Sequence, residues 1–190
     1  MRRRGSLLAS SRHRICLNGP GLPNVRHKKI NMNKLIENGE KLPSAAKILA
    51  VSSYTQFLDK YPIIEKIKPE HWDFVLTVAG IFVGVSQLNH EGIPKNEKNT
   101  ILDAVTNAGI EIYPDSIDAC EDCRNFVDRT YDGLTQEKEY QDNPKFLFSD
   151  SLGSWVVWNL FGHAPSNADE INLIRTLGAF LVHSFISWWK

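Results

Sequence analysis

The chain has 190 residues and equal numbers of Lys/Arg and Asp/Glu, but the first 31 hold eight basic side chains and no acid, leaving fourteen basic and twenty-two acidic ones to residues 32–190. Phosphate backbones are gripped by clustered Lys/Arg, so the acidic main part is a poor nucleic-acid binder. The three cysteines, Cys16, Cys120 and Cys123, exclude a disulfide-stapled secreted scaffold and fit a reducing compartment.

Residues 1–31 are rich in Arg and hydroxyl side chains. That is the composition of an organellar transit segment, and an anionic-surface tail would read the same way. Met32 is also a natural start of translation, in which case the leader is not made. Gly19, Pro20, Gly21 and Pro23 break any helix there, and the leader is expected to be disordered.

Helical signals dominate residues 32–190. Pro43 and Ser44 read as the capped start of a helix running to Pro62, with Ile48, Leu49, Ser52, Thr55 and Leu58 along one side. Pro69 and Glu70 open a second helix, apolar nearly all round through Leu88 and therefore expected at the centre of the fold. Pro94 opens a third, whose Ile101, Leu102, Ala104 and Val105 face inward. Gly109 and Ile110 look like its cap, with a brief extended piece at residues 110–113. Asp115 and Asp118 signal a fourth helix ending at Gly133. A polar stretch then leads to Asn143 and Pro144, which introduce an apolar helix broken near Ser149–Ser151 and closed by Gly162. Ser166 caps the last helix, with Ile171, Ile174, Leu181, Phe185 and Trp188 on one face. The expectation is a single all-α globular domain of six or seven helices over about residues 40–190. No repeat period recurs, so a solenoid is not expected.

Several residue groups invite a chemical reading. Cys120-Glu-Asp-Cys123 has the spacing of a redox or metal-binding pair. Yet it falls inside a helix, its neighbours are acids that raise a thiol pKa, and no second pair of ligands is present. Sharing a face with Ile117 and Val127, both cysteines read best as small core residues, with a metal or thiol function as an alternative. Ser44-Ala-Ala-Lys47 has the spacing of a serine acylase element, and Ser149-Asp150-Ser151 superficially resembles the second element, but no Lys-Thr-Gly counterpart exists. Gly80-Ile-Phe-Val-Gly84 is a close-packing motif in a run of about a dozen apolar residues, short of the about twenty a membrane span needs. His71, His90, His163 and His183, with Asp73, Glu91 and Asp169 nearby in sequence, match no metal or acid–base spacing.

No residue set specifies a reaction and no cofactor is implied. The leading expectation is a non-enzymatic binding or regulatory protein in the cytoplasm, acting through a protein partner or self-association, with Trp155, Trp158, Trp188 and Trp189 as the contact aromatics. A second reading is a membrane-associated protein held by residues 72–88 and 173–189, whose end at Trp188-Trp189-Lys190 is interfacial in character. An organellar location is implied if residues 1–31 are a transit segment.

Overall fold

The computed structural model describes residues 31–88 and 93–190. The leader expectation therefore lies outside the described residues but for Asn31, as do His90 and Glu91. The described chain is all-α and contains no strand. Its elements are α1 (Met32–Lys60), a 3₁₀ turn (Pro62–Lys66), α2 (Pro69–Gln87), α3 (Lys95–Ile112), α4 (Ser116–Leu134), α5 (Lys138–Asp142), a second 3₁₀ turn (Pro144–Phe146), α6 (Leu147–Phe161) and α7 (Ala168–Phe185).

Helix α1 corrects the expected start at Pro43. Its cap is Asn31, whose Oδ1 accepts from the Lys34 amide at 3.4 Å, and it runs straight through Pro43. An interior proline cannot donate to the Gly39 carbonyl and costs about 3 kcal/mol. Burial of Leu35, Gly39, Leu42 and Pro43 itself offsets that. Ser44 is thus an exposed mid-helix residue rather than a cap. The inward face is also different from the one expected: Ala46, Ala50, Ser53 and Phe57 are buried while Ile48 is 69% exposed. Small residues are needed inside because α1 lies close along α2, where a Cβ on Gly80 would stand 2.9 Å from the Ala46 methyl.

Helix α2 is central, as its pattern predicts, buried from Val75 through Gly84 and packed against α1, α4, α6 and α7. Its Trp72 is fully buried and donates Nε1 to the Ala50 carbonyl at 3.1 Å. The Gly80/Gly84 motif works as a seam between α2 and α1, with the Leu42 methyls seated on Gly84. No described helix is long and apolar enough to cross a membrane.

Two further expectations are corrected by the same physics. Gly109 does not end α3, and residues 110–112 are helical, not extended. Gly109 is a buried contact point, where a Cβ would stand 3.1 Å from Ser116 Oγ at the start of α4. Ser149–Ser151 do not break α6, which is continuous. These residues are buried against α7, where a Cβ on Gly178 would fall inside the Ser149 carbonyl. Gly162 does close α6, at φ 73°, a left-handed conformation that glycine adopts without penalty. Asn167, rather than Ser166, caps α7 by accepting from the Glu170 amide at 3.0 Å. Of the face on which Ile171, Ile174, Leu181 and Phe185 are grouped, Ile171 is exposed while the other three are buried.

Candidate functional site

Helices α3 and α4 form a hairpin that meets at its turn and then diverges. Beyond Gly109 and Ser116 each helix attaches to a different neighbour, α3 to α1 and α4 to α6. Helix α2 is left as the floor between them. The result is a trough made of two communicating hollows of about 500 Å³ and about 310 Å³, which share Phe82, Val85, Leu102 and Arg124.

Each helix contributes one stripe at helical spacing. The floor is Ile81, Phe82, Val85 and Leu88 of α2, one wall is Leu102, Val105 and Thr106 of α3, and the other is Ile117, Cys120, Glu121, Arg124 and Asp128 of α4. Phe148 of α6 closes one end, its ring 6.1 Å from that of Phe82. Val85, Leu102 and Phe148 are only half-buried, so apolar surface faces the trough. Charges sit on its rim: Lys98 on α3, and Glu121, Arg124 and Asp128 on α4.

Of the cysteine pair, Cys120 borders this trough and Cys123 does not. Cys123 is fully buried and Cys120 partly so. Burial pushes the Cys120 thiol up to about 12 and the Cys123 thiol well above its ordinary value, with the Arg124 charge acting in the opposite direction. Both are neutral thiols at physiological pH, and a neutral thiol is a poor nucleophile. Cys120 Sγ points to the Val78 carbonyl at 3.7 Å. Between the cysteines, Asp122 accepts the Trp155 indole N–H at 3.0 Å. No group of three or more His, Cys, Asp or Glu among the described residues is arranged to hold a metal ion.

The four tryptophans separate. Trp155 and Trp189 are core residues, the latter donating to the Gly84 carbonyl at 2.6 Å. Trp188 is half-buried and donates to the Asn38 carbonyl at 3.0 Å. Trp158, beside Phe126, keeps 44% of its surface open. Only this last one is placed as a contact aromatic would be. Each indole in a buried setting needs an acceptor, found in a helix carbonyl for Trp188 and Trp189 and in the Asp122 carboxylate for Trp155.

Two polar clusters remain: one whose members come together only through the packing of α5, α6 and α7, and one that is local to residues 163–170. In the first, Asp150 of α6 is 4% exposed and accepts from the Tyr140 hydroxyl at 2.9 Å. Arg175 of α7 lies 3.7 Å from Asp150 and 2.5 Å from Glu139. They line a hollow of about 180 Å³. Burial, then the hydrogen bond to Asp150, holds the Tyr140 hydroxyl up at about 12, which keeps it a donor. An acid inside an otherwise apolar stretch is the one signal of this cluster that the sequence carries. In the second, Glu170 accepts from the Ser166 amide at 2.6 Å and the Ser166 hydroxyl at 3.2 Å, with His163 Nδ1 3.9 Å away. Those hydrogen bonds, led by the Ser166 amide, hold the Glu170 carboxyl below its ordinary value. A serine–histidine–acid hydrolase needs the hydroxyl bonded to the imidazole. Here it bonds to the acid, which makes the group a helix-capping arrangement.

The remaining motifs are spoken for locally. Lys47 places its ammonium 4.8 Å from the centre of the Tyr113 ring. His71 Nε2 bonds the Asn159 carbonyl at 2.8 Å, and His183 is exposed on α7. Neither a known protein family, nor a curated protein, nor a solved structure matches the chain. The functional reading therefore rests on the trough and the polar clusters alone.

Proposed function

We propose that the protein is a non-enzymatic binding protein that seats an apolar segment of a protein partner in the trough between α3 and α4. The supporting observation is the combination of an apolar floor and wall, Phe82, Val85 and Leu102, with a charged rim, Glu121, Arg124 and Asp128, on neighbouring helices. A centre from which water is excluded and a polar margin are the usual anatomy of a protein-binding surface. Glu139, Tyr140, Asp150 and Arg175 satisfy one another, which supports a structural role for that cluster and leaves the trough as the working surface.

Photo-crosslinking tests the reading. A benzophenone side chain placed at position 102 or 106 is expected to give one discrete adduct with a protein partner in cells that make the chain. The same group at exposed position 48 serves as control. Identical adducts from position 48, or none from positions 102 and 106, would sink the proposal.

A further inference from the structure

Resting on that reading, we infer that the occupant of the trough is an amphipathic helix of about three turns, bearing an acidic side chain opposite Arg124. The length comes from the walls. Ile117 to Asp128 on α4 is a run of twelve residues, whose eleven steps cover about 16 Å at 1.5 Å per residue. The wall residues pair in opposite senses, since Thr106 shares a hollow with Glu121 while Lys98 shares one with Asp128. Floor and walls are thus three helical stripes lying along one direction, a shape into which the side-chain ridges of a fourth helix fit.

An extended peptide is disfavoured on hydrogen-bonding grounds. Strand addition needs a row of unpaired N–H and C=O groups at an edge. Floor and walls here are the sides of α2, α3 and α4, where backbone groups are already paired within each helix. An occupant must therefore satisfy its own backbone, and a helix does so.

The charge pattern supplies the rest. Glu121, Arg124 and Asp128 lie three and four residues apart on α4, spacings at which opposite charges commonly pair. Arg124 nevertheless forms no ion pair within the described residues. It borders both hollows, which puts a guanidinium midway along an apolar trough. A carboxylate arriving there gains a charge-assisted hydrogen bond with this exposed guanidinium. Cationic side chains one turn to either side would meet Glu121 and Asp128. That base–acid–base order is the same read in either direction, so it holds whichever way the helix enters.

A displayed library of 14-residue helical peptides tests this, with the apolar stripe fixed and the flanking positions randomised, selected against the full chain and against Arg124→Glu. Selection on the full chain is expected to enrich Asp or Glu at the central flank. Selection on Arg124→Glu should enrich Lys or Arg there, and peptides from the first selection should bind that variant at least tenfold more weakly. Peptides that bind without a charge preference, yet lose binding to Leu102→Glu and to the milder Thr106→Arg, would overturn the charge complement and leave the trough reading standing. Peptides indifferent to both of those variants would overturn the two readings together. So would saturation of the trough by dodecanoate with no peptide enriched.

Discussion

The α6–α7 contact and the α3–α4 hairpin are both built from neighbouring helices joined by a short connection, yet they end in opposite states. At α6–α7 the chain has removed side chains wherever the helices cross: Gly153 faces the Ile174 carbonyl and Gly178 faces the Ser149 carbonyl, with no space for a Cβ at either. At α3–α4 a single buried glycine, Gly109, lets the helices touch beside the turn, after which Leu102, Val105 and Ile117 hold them apart. Backbone contact maximises dispersion and leaves nothing to open. Side chains of intermediate size, left half-covered, leave a surface for something else. On the proposed function, stability and binding fall to different parts of one small helical domain.

The strongest attempt to break that contrast is Gly178→Ala. The added methyl collides with backbone rather than with a yielding side chain, so α6 and α7 must separate, at a loss of about 4 kcal/mol or more in urea-induced unfolding. A loss under about 1 kcal/mol would remove the distinction between the two regions. An intermediate effect is expected from alkali at the polar tie beside the same seam. The Tyr140 phenol is held at about 12 against an ordinary 10.0, so the fold favours its neutral form. Its contribution is fully present below pH 10 and is lost as pH rises from there through 12. Two pKa units at about 1.4 kcal/mol each set an upper bound of about 2.8 kcal/mol, which solvent screening brings down to the order of 1–2 kcal/mol. Ultraviolet titration of tyrosinate, with Tyr140→Phe to assign the late step, is expected to show this, and Asp150→Asn should move the step part of the way down because burial remains. The smallest effect belongs to the trough. Leu102→Ser should cost no more than about 1 kcal/mol in the same urea measurement, as a half-covered side chain has little transfer energy to lose. A cost approaching that of Gly178→Ala would mean that the trough is part of the core.

The helical class, the central position of α2, its boundaries and the glycine stop at Gly162 are all legible in the sequence, because each rests on local pattern or backbone chemistry. Pro43, Gly109 and Ser149–Ser151 mislead a sequence reading for one shared reason. Each is a residue that breaks helices when judged alone, and each is held in a helix by what packs against it: Pro43 by its burial in the α1 face that meets the core, Gly109 by Ser116, and the serines by α7. Tertiary contact overrides propensity at such points. The inward face of α1 is hidden because large apolar residues are a poor guide where the partner helix presents glycines. The trough is invisible for a different reason. Its floor and walls come from three helices, and only the divergence of α3 from α4 brings Phe82, Leu102 and Arg124 to one place. Cys123 can be judged from sequence as a core residue because it shares a face with the buried Val127, whereas Cys120 and Ile117 on that face are half-buried and line the trough.

Trp188 reaches Asn38 across 150 residues and Trp189 reaches Gly84 across 105. In kinetic terms these are among the costly contacts of the described residues, together with Tyr61 to Thr176 across 115. Closing a loop of that length forfeits on the order of 4 kcal/mol of chain entropy, whereas the helix hairpins form over short distances. Pairing of α1 with α2, which are close in sequence, is therefore expected to precede the docking of these two indoles, so that the last residues of the chain complete the fold.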